Sequence, residues 1–171
     1  MTVVPFAALH IAPLGAHHRD RVAAILRATS VFRSDEVDVA LELFDALPDS
    51  SDYFFLGAFT PEDELAGYAC YGPTPDTDRT FDLYWIAVDP AMHRAGIGTT
   101  LLTEVERRLT GQHARLLVVE TSSRSEYAPT RAFYRQRGYT EAGRVRDFYA
   151  PGDDRIILTK RFHHSPTGRG A

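Results

Sequence analysis

The sequence predicts a mixed α/β fold in a single domain, and three observations carry that expectation. Segments of strand and helix periodicity follow one another in the order β-α-α-β-β-β-α-β-α-β-β, which suits neither an all-helical nor an all-strand chain. The run Leu83-Tyr-Trp-Ile-Ala-Val88 has the apolar, β-branched and aromatic character of a strand, and Asp89-Pro90 ends it; Gly96 and Gly98 then open a segment whose Ile97, Leu101, Leu102, Val105 and Leu109 share one helical face. Last, 171 residues at 44% apolar content suffice for one sizeable core.

The elements follow in order. Phe6 to Ile11 reads as a short first strand, and Arg19 to Ala28 as a helix with Val22, Ile25 and Leu26 on one face. A second helix is expected to start at Ser34-Asp35-Glu36, where a hydroxyl can cap and carboxylates suit the positive end of the helix. Val37, Ala40, Leu41, Phe44 and Leu47 keep helical spacing until Pro48 stops it. Tyr53 to Phe59 and Leu65 to Tyr71 are strands joined by the turn Thr60-Pro-Glu-Asp-Glu64, and Gly72-Pro73-Thr-Pro75-Asp76 is a loop. Thr80 to Val88 is the strand that leads to the two glycines. Arg115 to Thr121 is another strand, with Leu116, Leu117, Val118 and Val119 expected to be buried on both faces. Ala128 to Arg137 is a helix closed by Gly138. Strands near Arg144 to Tyr149 and Arg155 to Phe162 complete a domain over residues 1–162, and residues 163–171 are expected to be a tail without order.

Composition narrows the class. No run approaches the ~20 apolar residues of a membrane span. The N-terminus lacks the charged-then-apolar pattern of a secretory signal, and the single cysteine, Cys70, excludes an internal disulfide; both fit a cytoplasmic protein. A formal net charge of −4, with no basic stripe interleaved with aromatics, argues against a nucleic-acid partner and leaves room for a cationic amine. The seven histidines show no metal-ligand spacing, so no metal site is expected.

The strand that feeds a glycine-bracketed helix start is a backbone anion site. Amides of the first helical turn lack internal partners, the macrodipole adds partial positive charge, and glycine lets a phosphate approach where a Cβ would block it. The dinucleotide fingerprint G-x-G-x-x-G fails, because Leu101 stands where its third glycine belongs. The P-loop fails too, because no Gly-Lys-Ser/Thr follows.

The segment His93-Arg94-Ala95-Gly96-Ile97-Gly98, after Val88-Asp89-Pro90, resembles motif A of the GNAT superfamily of acetyl-CoA-dependent N-acetyltransferases, with His93 at the usual Gln/Arg position. Thr130-Arg-Ala-Phe133-Tyr134-Arg-Gln-Arg-Gly138-Tyr139 resembles motif B of the same family, with Tyr127 at the usual Asn position and Thr130 at the usual Ala. The resemblance spans roughly residues 6 to 162. It implies a GNAT-like mixed, mostly antiparallel central sheet with helices on both faces and strands splayed at the cofactor site. It further implies acetyl-CoA as co-substrate, its pantetheine arm on the backbone of Ile86, Ala87 and Val88, and its pyrophosphate on the amides of Arg94, Ala95, Gly96, Ile97, Gly98 and Thr99.

By the same resemblance Tyr134 is the acid that protonates the departing thiolate, a role that suits a phenol protonated at neutral pH. Amine attack needs a neutral nucleophile, so a base must take the ammonium proton. Asp82, fourteen residues before Gly96, resembles in placement the glutamate base of histone-type enzymes. Glu120 resembles the glutamate of ribosomal-protein alanine acetyltransferases, whose aromatic and acidic loop Asp147-Phe-Tyr149-Ala-Pro-Gly152-Asp-Asp154 also resembles. Glu120 closes an apolar strand, so its surroundings are expected to be the drier and its role the larger. The activity so implied is transfer of acetyl to a primary amine by direct attack on the thioester, since no activated Cys or Ser nucleophile is visible. The acceptor is a small molecule or a peptide N-terminus, and the chain a monomer or homodimer. A non-catalytic acyl-CoA-binding module is the alternative of another class.

Overall fold

Side chains alternate across a strand and recur every 3.6 residues on a helix, and burial follows these periods in α1, α2 and the start of β4 and β5, while β3 is buried on both faces. The structure, a computed structural model, describes residues 9–47, 49 and 52–164. Its strands are β1 (His10–Pro13), β2 (Phe54–Phe59), β3 (Leu65–Pro73), β4 (Thr80–Val88), β5 (Leu116–Ser122), β6 (Thr140–Ala150) and β7 (Asp153–Arg161). Its helices are α1 (Arg19–Ala28), α2 (Ser34–Asp45), α3 (Ile97–Gly111) and α4 (Ala128–Arg135), with short 3₁₀ turns at Ala16–His18, Pro90–Ala95 and Ser125–Tyr127. The strands lie in the order β1-β2-β3-β4-β5-β7-β6, and the β1–β2, β2–β3, β5–β7 and β6–β7 pairs are antiparallel. The architecture is the mixed α/β fold that the element order predicts, with the mostly antiparallel sheet that the resemblance implies.

The chain divides into two compact units, and the division falls inside β4 and inside α3. The first holds the described residues of Met1–Pro73 and Leu83–Arg107. In it α1 buries Val22, Ala23, Ile25 and Leu26, and α2 buries Val37, Ala40, Leu41 and Phe44. These pack with Phe55, Phe59, Tyr68 and Cys70 into one core. Cys70 has no exposed surface, and burial pushes its thiol pKa well above the ordinary value. Gly67 of β3 makes a close approach: a Cβ there would stand 2.9 Å from the carbonyl oxygen of Ala87 and 3.0 Å from Cγ2 of Ile97. The glycine is what lets β3 pass this close to the end of β4 and the start of α3.

The second unit holds the described residues of Thr74–Asp82 and Arg108–Ala171. Here β5 and β7 turn Leu117, Val119, Ile156 and Leu158 into a buried face, with Val119 opposite Leu158. The helix α4 ends two residues earlier than its spacing predicts. Tyr139 N–H reaches back to Tyr134 O at 3.2 Å and Gly138 adopts φ +88°, a left-handed close of the Schellman type that takes Gln136 and Arg137 out of the regular helix.

Other boundaries differ from expectation in informative ways. The first strand begins at His10, and the predicted residues Phe6–Ala8 lie outside the described residues, as do Pro48 and residues 165–171. Ser34 is the first helical residue of α2 and not its cap; Arg33 takes the cap position, where its N–H donates to Glu36 Oε2 at 2.7 Å. The strand β3 runs on through Gly72 and Pro73, which were expected in the loop. The largest correction concerns β5. Leu117 and Val119 are buried, but Leu116 and Val118 are only half-buried and Glu120 is exposed. An all-apolar run was read as covered on both faces, whereas only one face of this strand is fully packed.

Candidate active site

The first unit carries the glycine turn that leads into α3. Asp89 follows β4, and its carboxylate accepts from Ala91 N–H at 2.9 Å while Pro90 occupies the first turn position, where a missing N–H costs nothing. The guanidinium of Arg21 fixes that carboxylate at 2.6 Å and also donates to Leu65 O at 3.0 Å, so β3, α1 and the end of β4 are tied at one point. The backbone then passes through Arg94 and Ala95 in the 3₁₀ turn and reverses at Gly96, whose φ of 69° is the left-handed region that glycine favours. At the start of α3 Thr100 N–H donates to Gly96 O at 3.0 Å. Ile97, Gly98 and Thr99 form the first turn, whose amides are directed along the helix axis toward its N-terminal end. Ile97 itself is buried and anchors the turn. Ile86, Ala87 and Val88 form the last three residues of β4, with Ala87 buried and its neighbours half-buried.

The second unit carries the titratable groups. Asp82 of β4 is half-buried, and its Oδ2 accepts from the Thr74 hydroxyl at 2.7 Å. Burial raises its pKa above the ordinary aspartate value; the Thr74 bond opposes that, the Glu120 charge adds to it and Arg155 opposes it. Glu120 is more exposed and forms an ion pair with Arg155. The guanidinium of Arg155 also lies 4.9 Å over the Phe148 ring. The expected ranking of surroundings is thus reversed: Asp82 is the drier carboxyl and Glu120 the solvated, charge-paired one. The reason is strand alternation, which turns Glu120 to the same incompletely covered side as Leu116 and Val118.

Tyr134 sits on α4, 3% exposed, with its ring against Phe133 and Tyr139 at 5.2 and 5.3 Å. Burial pushes its hydroxyl pKa well above the ordinary phenol value, so it holds its proton throughout the working range. The hairpin between β6 and β7 spends its acidic groups internally. Asp147 accepts from Gly152 N–H at 2.6 Å, and Asp154 accepts from Asp147 N–H at 3.0 Å and pairs with Arg144 at 3.1 Å. Its outward groups include two aromatics, Phe148 and Tyr149, which are 50% and 40% exposed.

Of the residues singled out from sequence, Asp82, Glu120 and Tyr134 fall in one unit, and the first two act on each other's charge. The residues of the glycine turn fall in the other. Sequence reasoning missed Thr74 and Arg155. Arg155 reaches the cluster through the register that sets it opposite Ser122, two residues beyond Glu120, and such nonlocal pairing leaves no local signal. Thr74 was hidden in a stretch that reads only as a loop. Gly67 and Arg21, which shape the glycine turn from outside, were also missed. Among the described residues no group of three or more His, Cys, Asp and Glu side chains is arranged to hold a metal ion. None of the described helices is long and apolar enough to cross a membrane.

Comparison with known proteins gives a consistent picture. The acetyltransferase (GNAT) family matches residues 20–139. A GNAT-family protein from Desulfovibrio desulfuricans is 40% identical, with a TM-score of 0.85 over 90% of this chain and 99% of its own. The ribosomal-protein-S18-alanine N-acetyltransferase from Escherichia coli has a TM-score of 0.76 at 21% identity, over 95% of this chain and 99% of its own. YncA from Salmonella typhimurium, solved with its cofactor acetyl-CoA, has a TM-score of 0.71 at 17% identity, over 94% and 97%. No curated protein matches the chain significantly in sequence.

Proposed function

Since this chain belongs to the acetyltransferase (GNAT) family, we propose that it is an acyltransferase that moves acetyl from acetyl-CoA to a primary amine by direct attack on the thioester. The observation that carries the chemistry is the division of labour between two neighbouring carboxyls. Glu120 is committed to Arg155, while Asp82 is half-buried, tied to one hydroxyl, and raised in pKa. A carboxylate raised toward neutrality is the better proton acceptor at working pH. Asp82 therefore takes the ammonium proton, directly or through one water. The neutral nitrogen attacks the thioester carbon, the C–N bond forms, and the C–S bond breaks as the tetrahedral intermediate collapses. Tyr134, a phenol whose proton burial holds still more firmly, protonates the departing thiolate and regains a proton from the nitrogen, directly or through water, as the amide forms. The glycine turn supports acetyl-CoA as the donor, since its first-turn amides suit a pyrophosphate, and the Salmonella protein of the same fold carries that cofactor.

A peptide N-terminus is the second reading of the acceptor. It is favoured by the exposed Phe148–Tyr149 pair beside Arg155 and by the fold shared with the S18-alanine enzyme. The test is thiol release from acetyl-CoA over a panel of small amines and of peptides with free N-termini. Turnover with amines alone supports the first acceptor, and turnover with peptides the second. Tight acetyl-CoA binding with no transfer to any member of either set would leave only a binding module.

A further inference from the structure

The loop Thr74–Arg79 has no part in the chemistry so far, yet it touches the proton acceptor. We propose that Thr74 is a positioning residue for Asp82: its hydroxyl holds one carboxylate oxygen, fixes the direction of the other, and sets the pH at which the group ionises. The inference rests on the reading of Asp82 as the acceptor.

The geometry is that of a braced donor. Thr74 Oγ1 lies 2.7 Å from Asp82 Oδ2, the length of a charge-assisted hydroxyl–carboxylate bond. Thr74 N–H donates to Thr80 O at 2.9 Å, and the Thr77 hydroxyl donates to Thr74 O at 2.8 Å, so the backbone of Thr74 is held from both sides. The loop is anchored in turn to the start of β5, where Arg115 N–H donates to Arg79 O at 2.9 Å and the Arg115 guanidinium to Asp78 O at 3.1 Å. Asp76 and Arg79 both adopt left-handed φ, 58° and 55°, which commits the loop to one tight path. A β-branched side chain on so constrained a backbone has little rotameric freedom, so its hydroxyl is delivered in one direction. With Oδ2 engaged, Oδ1 is the oxygen that takes the proton.

The charged groups that act on Asp82 are Glu120 from β5 and Arg155 from β7, and they oppose each other. The Thr74 bond is what favours the ionised form by direct donation. Its removal therefore moves the carboxyl pKa upward, further from its ordinary value, and leaves less carboxylate at any given pH.

Thr74→Val keeps the shape and deletes the donor; Thr74→Ser keeps the donor. Both are compared with the wild-type chain in two measurements: carbon-13 NMR titration of the Asp82 carboxyl in the ligand-free protein, and the acidic limb of the kcat/KM profile. The expected result is an upward shift of both midpoints in Thr74→Val and their return in Thr74→Ser. An unmoved NMR midpoint in Thr74→Val would overturn the role of Thr74, whatever the activity. A moved NMR midpoint with an unmoved kinetic limb would instead overturn Asp82 as the acceptor, the premise beneath it. If Thr74→Val fails to fold, Thr74→Ala carries the same comparison.

Discussion

Asp82, the proposed proton acceptor, weakens the fold that holds it. Its pKa is raised in the folded chain, chiefly by burial, so the native state binds its proton more tightly than the unfolded state does. Well below the unfolded-state pKa the group is protonated in both states and makes no difference. As pH climbs from the unfolded-state pKa through the raised folded-state value, the carboxylate becomes a net cost, which persists at neutral pH. Asp82→Asn is therefore expected to be at least as stable as wild type at pH 7, with its advantage fading in acid, while turnover falls by ~10²–10⁴-fold. Denaturant melts at neutral and acidic pH, alongside thiol-release rates, check both halves. Glu120→Gln is expected to lower turnover less. Its ion pair with Arg155 is partly exposed, so its loss changes stability by about 0–1 kcal/mol in the same melts. Tyr134→Phe is expected to keep its packing against Phe133 and Tyr139 and to lose turnover with little change in acetyl-CoA affinity, read by calorimetry. Both carboxyls were legible in the sequence as candidates. Their order was not, because an apolar run such as Leu116–Val119 does not say which of its faces neighbouring elements will cover.

Elements were more legible than the contacts between them. The helix α1 and the strand β4 begin and end where periodicity and their flanking residues place them. So does the glycine turn, because a strand, a proline and two glycines each restrict the backbone independently. At α4 the closing glycine was legible, since Gly138 adopts the left-handed conformation expected of it, while the last regular residue falls two positions before the expected one because the closing turn takes up Gln136 and Arg137. The packing that supports the glycine turn left no trace in local pattern, since Gly67 lies twenty residues from Ala87 in sequence and touches it only in space. Gly67→Val is expected to push β3 away from Ala87 and Ile97 and cost about 1–3 kcal/mol by denaturant unfolding, the range of an overpacked core. The change should also weaken acetyl-CoA binding, because Ile97 anchors the first turn of α3. Gly96→Glu acts on the turn directly. It sets a carboxylate where a phosphate belongs, on a backbone at φ 69° that strains any side chain, and calorimetry is expected to find no acetyl-CoA binding.

At the scale of the whole chain, the order of elements was legible and their neighbours were not. The strand β7 lies between β5 and β6, and nothing in its composition announces an insertion between two earlier strands. A ligand that binds the native chain and not the unfolded one stabilises it, so on the proposed function acetyl-CoA at about 100 times Kd is expected to add about 2.7 kcal/mol. For a protein of this length that corresponds to a rise in Tm of roughly 5–10 °C, measurable in a thermal melt. The absence of a shift at any concentration would remove the donor from the account. The same melt has a built-in chemical reporter. Cys70 is the only cysteine in the sequence, has no exposed surface, and its thiol is pushed far from ionisation. A disulfide reagent that counts liberated coenzyme thiol is thus blind to the native enzyme, and its background reaction measures how often the first unit opens. Labelling of Cys70 becomes a clock for local unfolding, and acetyl-CoA is expected to slow it in proportion to the protection that it confers.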